Sequence, residues 1–535
     1  MQSPFASRLH TNYCASDDEI SELKGLLAEP RLRLAKLDGE ILALRQKLDG
    51  LVEQRESLCA HIQSHQALMS PIRRIPLDVL EQIFLACLPT HRNCVMSAQE
   101  APVLLGRICS SWRTLSLSAP RLWSRLHIVL PPPDHESLSR DRDIFAAKTA
   151  QRLEVASTWL GRTGICPLSI SVEREFHLNH LDLPEDLLEL LIPYASRWQH
   201  LSLVLPPSGF ERLSRLSEND VPLLMSLSMS SAPIMDPAYT WTPAGIVFAP
   251  NLSSFEFAGS GIIPSALPLR WNTLTELSLR VSSWNWNSGL TCETALDILA
   301  RCHALRSCKL LIQEISESQV LPTNPIVPCS FLRAFELQCY KTPLRTAEYL
   351  LNHFSHLALE EFSLSAALGD REDPDNIQGI TSALGRCPQL RSIVIQTDIF
   401  SKSSFMDFSR CLPSTVQRLK MVAMCGWGEG SLDNNNVLQA FEASADRPAA
   451  CPALREFIVE GYLLISDDAL LRFIVSRMPT LRRVHARLSR EKQVDILPNL
   501  LPFIAAGLEV SLQYYDPPEP LRPNFSPWEG LRDYR

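Results

Sequence analysis

Apolar residues between positions 16 and 69 fall on alternating steps of three and four in one unbroken register, which predicts a heptad helix. The predicted seam consists of Ile20, Leu23, Leu27, Leu34, Leu37, Ile41, Leu44, Leu48, Leu51, Leu58, Ile62 and Met69. Pro30 occupies a core position, so we expect a kink there and a regular helix over residues 31–67.

The seam has two interpretations. It either self-associates or docks a partner helix through residues 31–67, or it packs back on another part of the same chain. Arg55 and His65 at core positions disfavour an extended dimer. His61 and His65 lie four residues apart like half of a zinc site, but no third ligand is near, so a solvated helix end is the better interpretation.

A second apolar pattern runs from Pro71 to Leu126 and predicts short helices. Pro76 marks a helix start, since its fixed φ suits the first turn, and the helix should end near Pro89. One apolar row contains Leu77, Leu80 and Phe84, and a second row contains Val79, Ile83 and Ala86.

A further helix is predicted to carry Leu105, Ile108, Trp112 and Leu115 on a single stripe. Short helices cannot bury this many apolar residues among themselves. The surplus must be covered by a neighbouring part of the chain or by a partner protein.

From residue 198 to 488 the phrase L-x-x-h-x-h recurs, where h is apolar. Examples are Leu252/Phe255/Phe257, Leu305/Cys308/Leu310, Leu359/Phe362/Leu364 and Leu454/Phe457/Val459. The recurrence predicts an irregular leucine-rich-repeat solenoid, in which each unit gives one strand to a parallel sheet and a helix or loop returns outside.

Residues between the core positions of each strand should face the open side of that sheet. Arg280, Glu336 and Lys420 are candidates there for contacts with a protein partner, although a solvated face explains them equally well. Trp284 and Trp286, in the loop after a strand, are candidate interface anchors, and capping of the core is an even alternative.

The segment from Pro71 to Leu126 resembles the F-box-like domain of basidiomycete fungal proteins. The resemblance rests on Ile75-Pro76-x-Asp78-Val79-Leu80-x-x-Ile83-Phe84, Ile108-Cys109-x-x-Trp112-Arg113-x-Leu115 and Pro120-Arg121-Leu122-Trp123. An N-terminal heptad helix and C-terminal leucine-rich strands recur in that group. Two departures are Asp78 in place of the usual Glu and a long loop from Pro89 to Pro102.

The resemblance implies docking of a Skp-family adaptor, and through it a cullin and a RING subunit. The implied adaptor-binding residues are Ile75, Pro76, Leu80, Ile83 and Phe84, with Leu105, Ile108, Trp112, Leu115 and Trp123 shared between that surface and the domain's own core. The expected function is substrate recognition in an SCF-type ubiquitin ligase, with an unknown protein substrate. The alternative is a scaffold that acts outside any ligase.

Together these patterns predict an α/β chain whose all-α N-terminal part precedes the solenoid. The expected segments are a disordered tail (1–15), the heptad helix (16–69), the F-box unit (70–130), a linker and helix (131–165), the solenoid (166–512) and a C-terminal tail (513–535).

Composition narrows the function classes. A net charge of −8 over 535 residues gives no concentrated basic face, which argues against nucleic-acid binding. The 15 cysteines form no CxxC pair, and no apolar run is long enough to span a membrane, so we expect a soluble cytoplasmic or nuclear protein with reduced thiols. No constellation indicates an enzyme, a cofactor or a metal, and Cys302, Cys387 and Cys451 are expected to be buried and inert.

Overall fold

The structure is a computed structural model of the chain. It describes residues 4–130, 139–174, 185–205, 207–231, 245–260, 262–281, 289–313, 326–340, 342, 344–355, 358–367, 378–423, 434–442, 449–461, 465–514 and 527–528. The chain divides into two units, Met1–Gln82 and Ile83–Arg535.

The first unit is dominated by one long helix, α1 (Asp17–Leu68). Pro30 lies inside this helix, which therefore begins well before the regular helix expected from residue 31. A proline costs the helix one hydrogen bond without ending it here. The predicted seam faces outward, with Leu34 60% exposed and Leu44 67% exposed.

Three short helices follow. They are α2 (Leu77–Ala86), α3 (Leu105–Ile108) and α4 (Ser110–Ser118), and a 3₁₀ turn at Pro120–Trp123 comes after them. The single helix predicted through Leu105 and Leu115 is wrong, because Cys109 is extended (φ −156°, ψ 170°) and separates α3 from α4. Its Sγ accepts a hydrogen bond from the backbone N–H of Trp112, so it acts as the N-cap of α4.

Over the described residues, the second unit is built on a parallel sheet of 14 strands, which confirms the predicted mixed α/β class with a large parallel sheet. The sheet strands are β1 (Arg125–Leu130), β2 (Leu168–Arg174), β3 (Trp198–Leu205), β4 (Ser226–Ser231), β5 (Ser254–Gly259), β6 (Glu276–Val281), β7 (Ser307–Ile312), β9 (Ala334–Tyr340), β11 (Glu361–Ala367), β12 (Ser392–Gln396), β13 (Arg418–Ala423), β14 (Glu456–Gly461), β15 (Arg483–Leu488) and β16 (Glu509–Tyr514). Two short strands, β8 (Val327–Pro328) and β10 (Phe354–Ser355), pair separately.

Each sheet strand pairs with the next sheet strand in the chain, so the sheet grows by one unit at a time. Helices lie in many of the returns: α5 (Ser139–Gly161), α6 (Glu185–Leu191), α7 (Pro207–Leu213), α8 (Cys292–Arg301), α9 (Leu344–Asn352), α10 (Gln378–Gly385), α11 (Lys402–Cys411), α12 (Asn434–Gln439), α13 (Asp467–Ser476) and α14 (Leu497–Ala505). Phe473 of α13 packs on Phe457 of β14 with ring centroids 4.5 Å apart, so this return covers the apolar face of the sheet.

The core is a ladder of apolar side chains in register. One row of paired residues, one from each strand of this sheet from β1 to β15, is buried throughout: Leu126, Ile170, Leu201, Leu227, Phe255, Leu277, Cys308, Phe335, Phe362, Ile393, Leu419, Phe457 and Val484. Every repeated phrase predicted from the sequence coincides with one strand of the sheet. The sheet starts two strands before the first repeated phrase, at Arg125 of β1, inside the segment that the sequence placed with the helices.

Candidate protein-interaction surfaces

The apolar residues of helix α2 differ in how deeply they are buried. Leu80 is 3% exposed and Phe84 is fully buried, so this row belongs to the protein's own core. Leu77, predicted to share that row, is instead 61% exposed, and Val79 (46%) and Ile83 (39%) of the second row are exposed as well. An exposed apolar row of this kind on a short helix is what a binding face requires.

Helices α3 and α4 place the next candidates at different depths. Leu105 is buried, whereas Ile108, at the end of α3, is 57% exposed. Trp112 is half-buried, and its ring lies 4.8 Å from that of Phe84. Arg113 Nε donates to the carbonyl oxygen of Gly106 at 2.8 Å and so ties α4 to α3 across the break.

Trp123 lies in the core at the junction with the sheet. Its indole N–H donates to the Ser116 carbonyl oxygen at 2.7 Å, and Trp159 donates to the Trp123 carbonyl oxygen at 2.7 Å. The two indoles meet edge to face with centroids 4.8 Å apart. The Arg162 guanidinium lies 4.5 Å from the Trp123 ring centroid.

The residues predicted to bind an adaptor thus fall into three groups. Pro76, Ile83 and Ile108 are exposed; Ile75, Trp112 and Leu115 are half-buried; Leu80, Phe84, Leu105 and Trp123 are buried. Only the first two groups can offer surface to a partner, and the buried group shapes the helices that carry it.

The outward face of the sheet has its own ladder in register. It runs His127, Ser171, Ser202, Ser228, Glu256, Ser278, Lys309, Glu336, Ser363, Val394, Lys420, Ile458, His485 and Ser511. Two predicted contact residues, Glu336 and Lys420, lie on this ladder, and Arg280 lies two residues beyond it on β6.

These three residues pair with other residues of the chain. Arg280 pairs with Glu256, Lys309 Nζ lies 3.3 Å from Glu336, and Lys420 Nζ lies 2.7 Å from Glu460. A partner must compete with these ion pairs or bind to them as pairs. Trp284 and Trp286 lie outside the described residues.

Toward the end of the sheet the charges form a continuous chain. Arg418 Nε lies 2.6 Å from a carboxylate oxygen of Glu456. Arg483 forms ion pairs with both Glu456 (3.3 Å) and Glu509 (2.7 Å). Burial by itself raises the pKa of Glu456, but hydrogen bonds and charge from Arg418 and Arg483 outweigh it and lower that pKa. This part of the face presents alternating, internally compensated charge.

The sequence analysis missed a polar groove of about 880 Å³ on the outward face of β1 to β4. Segment 93–95 runs beside β1, because the His127 backbone N–H donates to the Cys94 carbonyl oxygen at 2.8 Å. Arg125, His200, Ser202 and Ser226 line the groove. Serine at alternate strand positions, as at Ser169 and Ser171, was the available signal in the sequence.

Asn93 holds that segment against the sheet. Its Nδ2 donates to Ser171 Oγ at 3.0 Å, and its Oδ1 accepts from Ser169 Oγ at 2.8 Å. The buried His127 hydrogen-bonds through Nδ1 with the same Ser171 Oγ at 2.8 Å. The wall of the groove is therefore fixed by side chains on both β1 and β2.

Cys302, Cys387 and Cys451 are buried as predicted, and burial raises their pKa values to about 12, 11 and 12. His65 Nδ1 bonds the His61 carbonyl oxygen at 2.9 Å. Across the described ranges, no three His, Cys, Asp or Glu residues are grouped as metal ligands.

No protein-family model matches this sequence, and no curated protein matches it. Among solved structures, the chain is similar to one described as a crystal structure of a TLR13–ssRNA13 complex, at 15% identity and a TM-score of 0.25. The aligned part covers 59% of this chain and 48% of that chain, so it spans about half the length of the other protein. At this TM-score no property of that complex is carried over.

Within the part of the chain that the structure describes, no helix is both long enough and apolar enough to cross a membrane.

Proposed function

We propose that this protein is a substrate-recognition subunit of an SCF-type ubiquitin ligase. In this proposal residues 70–130 are an F-box that docks a Skp-family adaptor, and the strand array is a leucine-rich-repeat solenoid that binds the protein substrate. The chain itself performs no chemistry. It supplies proximity, because holding a substrate beside the conjugating machinery raises its effective concentration.

The observation that carries the proposal is the division of α2 into a buried row and an exposed apolar row. Leu80 and Phe84 complete the protein's own core, and Leu77, Val79 and Ile83 are left open to a partner. Ile108 supports the same conclusion from α3, since it is 57% exposed. Of these residues, all but Leu77 belong to the motifs that resemble the F-box.

The outward face of the sheet supports the second half of the proposal. Between Glu256 and His485 its ladder is polar or charged except at Val394 and Ile458, while the row that begins at Leu126 on the opposite face is apolar and buried from Leu126 to Val484. An alternating, compensated charge pattern gives orientation and selectivity to a protein partner more than raw affinity. We therefore assign substrate selection to the sheet and ligase attachment to the helices.

Co-precipitation with the adaptor and cullin tests the proposal. The test variant combines Val79→Asp with Ile83→Asp, because both residues are exposed on α2. Phe84 is left unchanged, because it is fully buried and its substitution would disrupt the fold. Wild type should capture both proteins, and the double variant should lose them. Gln82→Asp is the control, since it places one such charge on an exposed neighbour in the same helix.

If wild-type protein captures no adaptor, the ligase proposal is wrong and a scaffold outside any ligase becomes the better account. If Gln82→Asp also loses the adaptor, a charge anywhere on α2 would be enough to prevent binding, and the row of Val79 and Ile83 would not be a specific binding face.

We also propose that the heptad helix joins two copies of the chain. Support comes from the exposed seam: Leu37, Ile41, Leu44 and Leu48 are each about half or more exposed along α1. A helix with such a stripe gains stability by burying it in a coiled coil. Two copies would present two substrate-binding faces and so raise avidity.

A further inference from the structure

The side chains on the outward face of the sheet change from mainly serine to charged residues between β4 and β5. In the register row that begins at Arg125, the next strands contribute Ser169, His200 and Ser226, and the row that begins at His127 contributes Ser171, Ser202 and Ser228. From Glu256 onward charged side chains enter these rows. Lys309 pairs with Glu336 in the same row, and Glu256 and Lys420 pair with Arg280 and Glu460, which lie two strand positions beyond it. The groove thus coincides with the part of the face that small hydroxyl groups line.

Arg125 gives the groove a positive charge that no carboxylate in the described chain neutralises. Its guanidinium donates to the carbonyl oxygen of Pro89 at 2.6 Å and to that of Arg92, and both acceptors are neutral. Two of its five N–H donors are used in this way, so three remain. The adjacent Arg92 differs, because it forms a bidentate pair with Glu100 at 3.0 and 2.6 Å.

The positive charge of Arg125 acts on His200, another residue that lines the groove. His200 lies on the wall, and its pKa is lowered, first by partial burial and then by the charge of Arg125. Glu173 lines the groove four residues along β2 from Ser169, roughly 13 Å away at the usual rise of a strand. The groove therefore has a cationic end at Arg125 and an acidic end at Glu173.

Hydrogen-bonding groups remain available between these ends. Ser202 and Ser226 are half-buried, and neither hydroxyl has a hydrogen-bond partner among the described residues. His200 is exposed on the same wall. The neighbouring Ser169 and Ser171 are already held by Asn93, so they fix the wall and leave the other three groups to a ligand.

We propose that this groove binds a small phosphorylated polyol. Arg125 contacts the phosphate, and Ser202, Ser226 and His200 bond its remaining oxygens and the nearest hydroxyl groups. A phosphate fits better than a carboxylate, because its three terminal oxygens can use a guanidinium, hydroxyls and an imidazole at once. The volume of about 880 Å³ lies within the range of small-molecule sites.

Isothermal titration of the full chain tests the proposal with glucose 6-phosphate, glycerol 3-phosphate, inorganic phosphate and glucose as probes. At least one of the two sugar or glycerol phosphates should bind more tightly than inorganic phosphate, and glucose should not bind. Arg125→Gln should weaken binding by about tenfold or more, because glutamine can still bond a carbonyl oxygen but carries no charge.

Arg418→Gln is the matched control, since Arg418 occupies the same register row at the far end of the sheet and is paired with Glu456. It should bind the probes as wild type does. Ser202→Leu fills the groove without touching Arg125 and should abolish binding even if Arg125→Gln fails to fold, which circular dichroism would reveal.

Three outcomes would overturn the proposal. They are no binding of either organic phosphate at millimolar concentration, equal binding by wild type and Ser202→Leu, and Arg125-dependent binding of a phosphoserine peptide without any binding of the small phosphates. The last outcome would assign the groove to a phosphorylated protein. None of these results depends on capture of an adaptor.

Discussion

The ring of Phe84 packs against the ring of Trp112, with centroids 4.8 Å apart and planes tilted by 58°. This contact joins α2 to α4, so the helix that presents the exposed row is held by the helix that follows the break at Cys109. Phe84 is fully buried, whereas Trp112 is half-buried. The proposed adaptor surface thus depends on Trp112, which is itself only half-buried.

Truncating Trp112 should loosen these helices. Trp112→Ala removes the ring contact and leaves a cavity beside Phe84, and we expect a loss of about 2–3 kcal/mol, somewhat below the value for a fully buried tryptophan. Hydrogen exchange of the amides in Ser110–Ser118, followed by mass spectrometry, measures the loss locally. Trp112→Phe should retain most of the protection, and equal exchange in wild type and Trp112→Ala would contradict the prediction.

The cap of α4 offers a stabilising change. Cys109 accepts the Trp112 N–H through sulfur at 3.5 Å, which is a weak bond. Cys109→Asp supplies a carboxylate at the N-cap and a negative charge at the positive end of the helix, so we expect a gain of about 0.5–1 kcal/mol. Amide protection in Ser110–Ser118 should rise in Cys109→Asp and should not rise in Cys109→Ala. A rise in both would show that the sulfur, rather than a missing cap, limits α4.

The sheet could be predicted because each strand must place two residues in a shared core. Phe255 and Phe257, or Phe457 and Val459, are both buried, and no polar residue could replace them without a large cost. The break between α3 and α4 could not be predicted, because Ile108 and Trp112 fit a continuous helical stripe and a cysteine is an uncommon cap.

The groove escaped prediction for a different reason. Asn93 and Ser171 are 78 residues apart, and their hydrogen bond exists only because segment 93–95 lies along β1. No local pattern encodes that approach. Arg125 lies in a segment that the sequence placed with the helices, and only its hydrogen bonds to the neutral carbonyl oxygens of Pro89 and Arg92 distinguish it.

Asp467 should make the last strands sensitive to acid. It is fully buried and accepts hydrogen bonds from Arg490 at 2.5 Å, from the backbone N–H groups of Gln493 and Val494 at 2.8 Å each, and from Tyr514 at 3.0 Å. Burial by itself raises the pKa of Asp467, but the bond from Arg490 and the other bonds outweigh it and lower that pKa below its usual 3.8.

A carboxyl whose pKa is lowered by folding stabilises the fold above its unfolded pKa. The contribution of Asp467 is therefore fully present above about pH 4–5 and is lost as the pH falls through the lower, folded-state pKa. Asp467→Asn leaves Arg490 without its carboxylate, so we expect a loss of about 3–5 kcal/mol at pH 7. Urea unfolding at pH 7, 5, 4 and 3 should show the difference from wild type shrinking at the lowest pH.

The control for this measurement is Asp468→Asn, because Asp468 is the exposed neighbour in the same helical turn. It should change the urea midpoint little at any pH. A constant difference between wild type and Asp467→Asn across the whole series would mean that Asp467 keeps its usual pKa in the folded protein.

The seam of α1 predicts the mass of the particle in solution. If it forms a coiled coil, wild type should sediment at twice the chain mass of 60.1 kDa, and Leu37→Asp with Leu44→Asp should sediment at 60.1 kDa, since each buries a charge in the seam. Leu42→Asp is the matched control: Leu42 is 59% exposed in the same helix but lies one residue beyond the core position Ile41, where a charge faces water. Wild type at 60.1 kDa would contradict self-association, and dissociation by Leu42→Asp would show that the contact does not follow the heptad register. Leu37 and Leu44 occupy core positions of the repeat and Leu42 does not, although all three are exposed, so the comparison of the two variants separates a seam from a merely apolar helix.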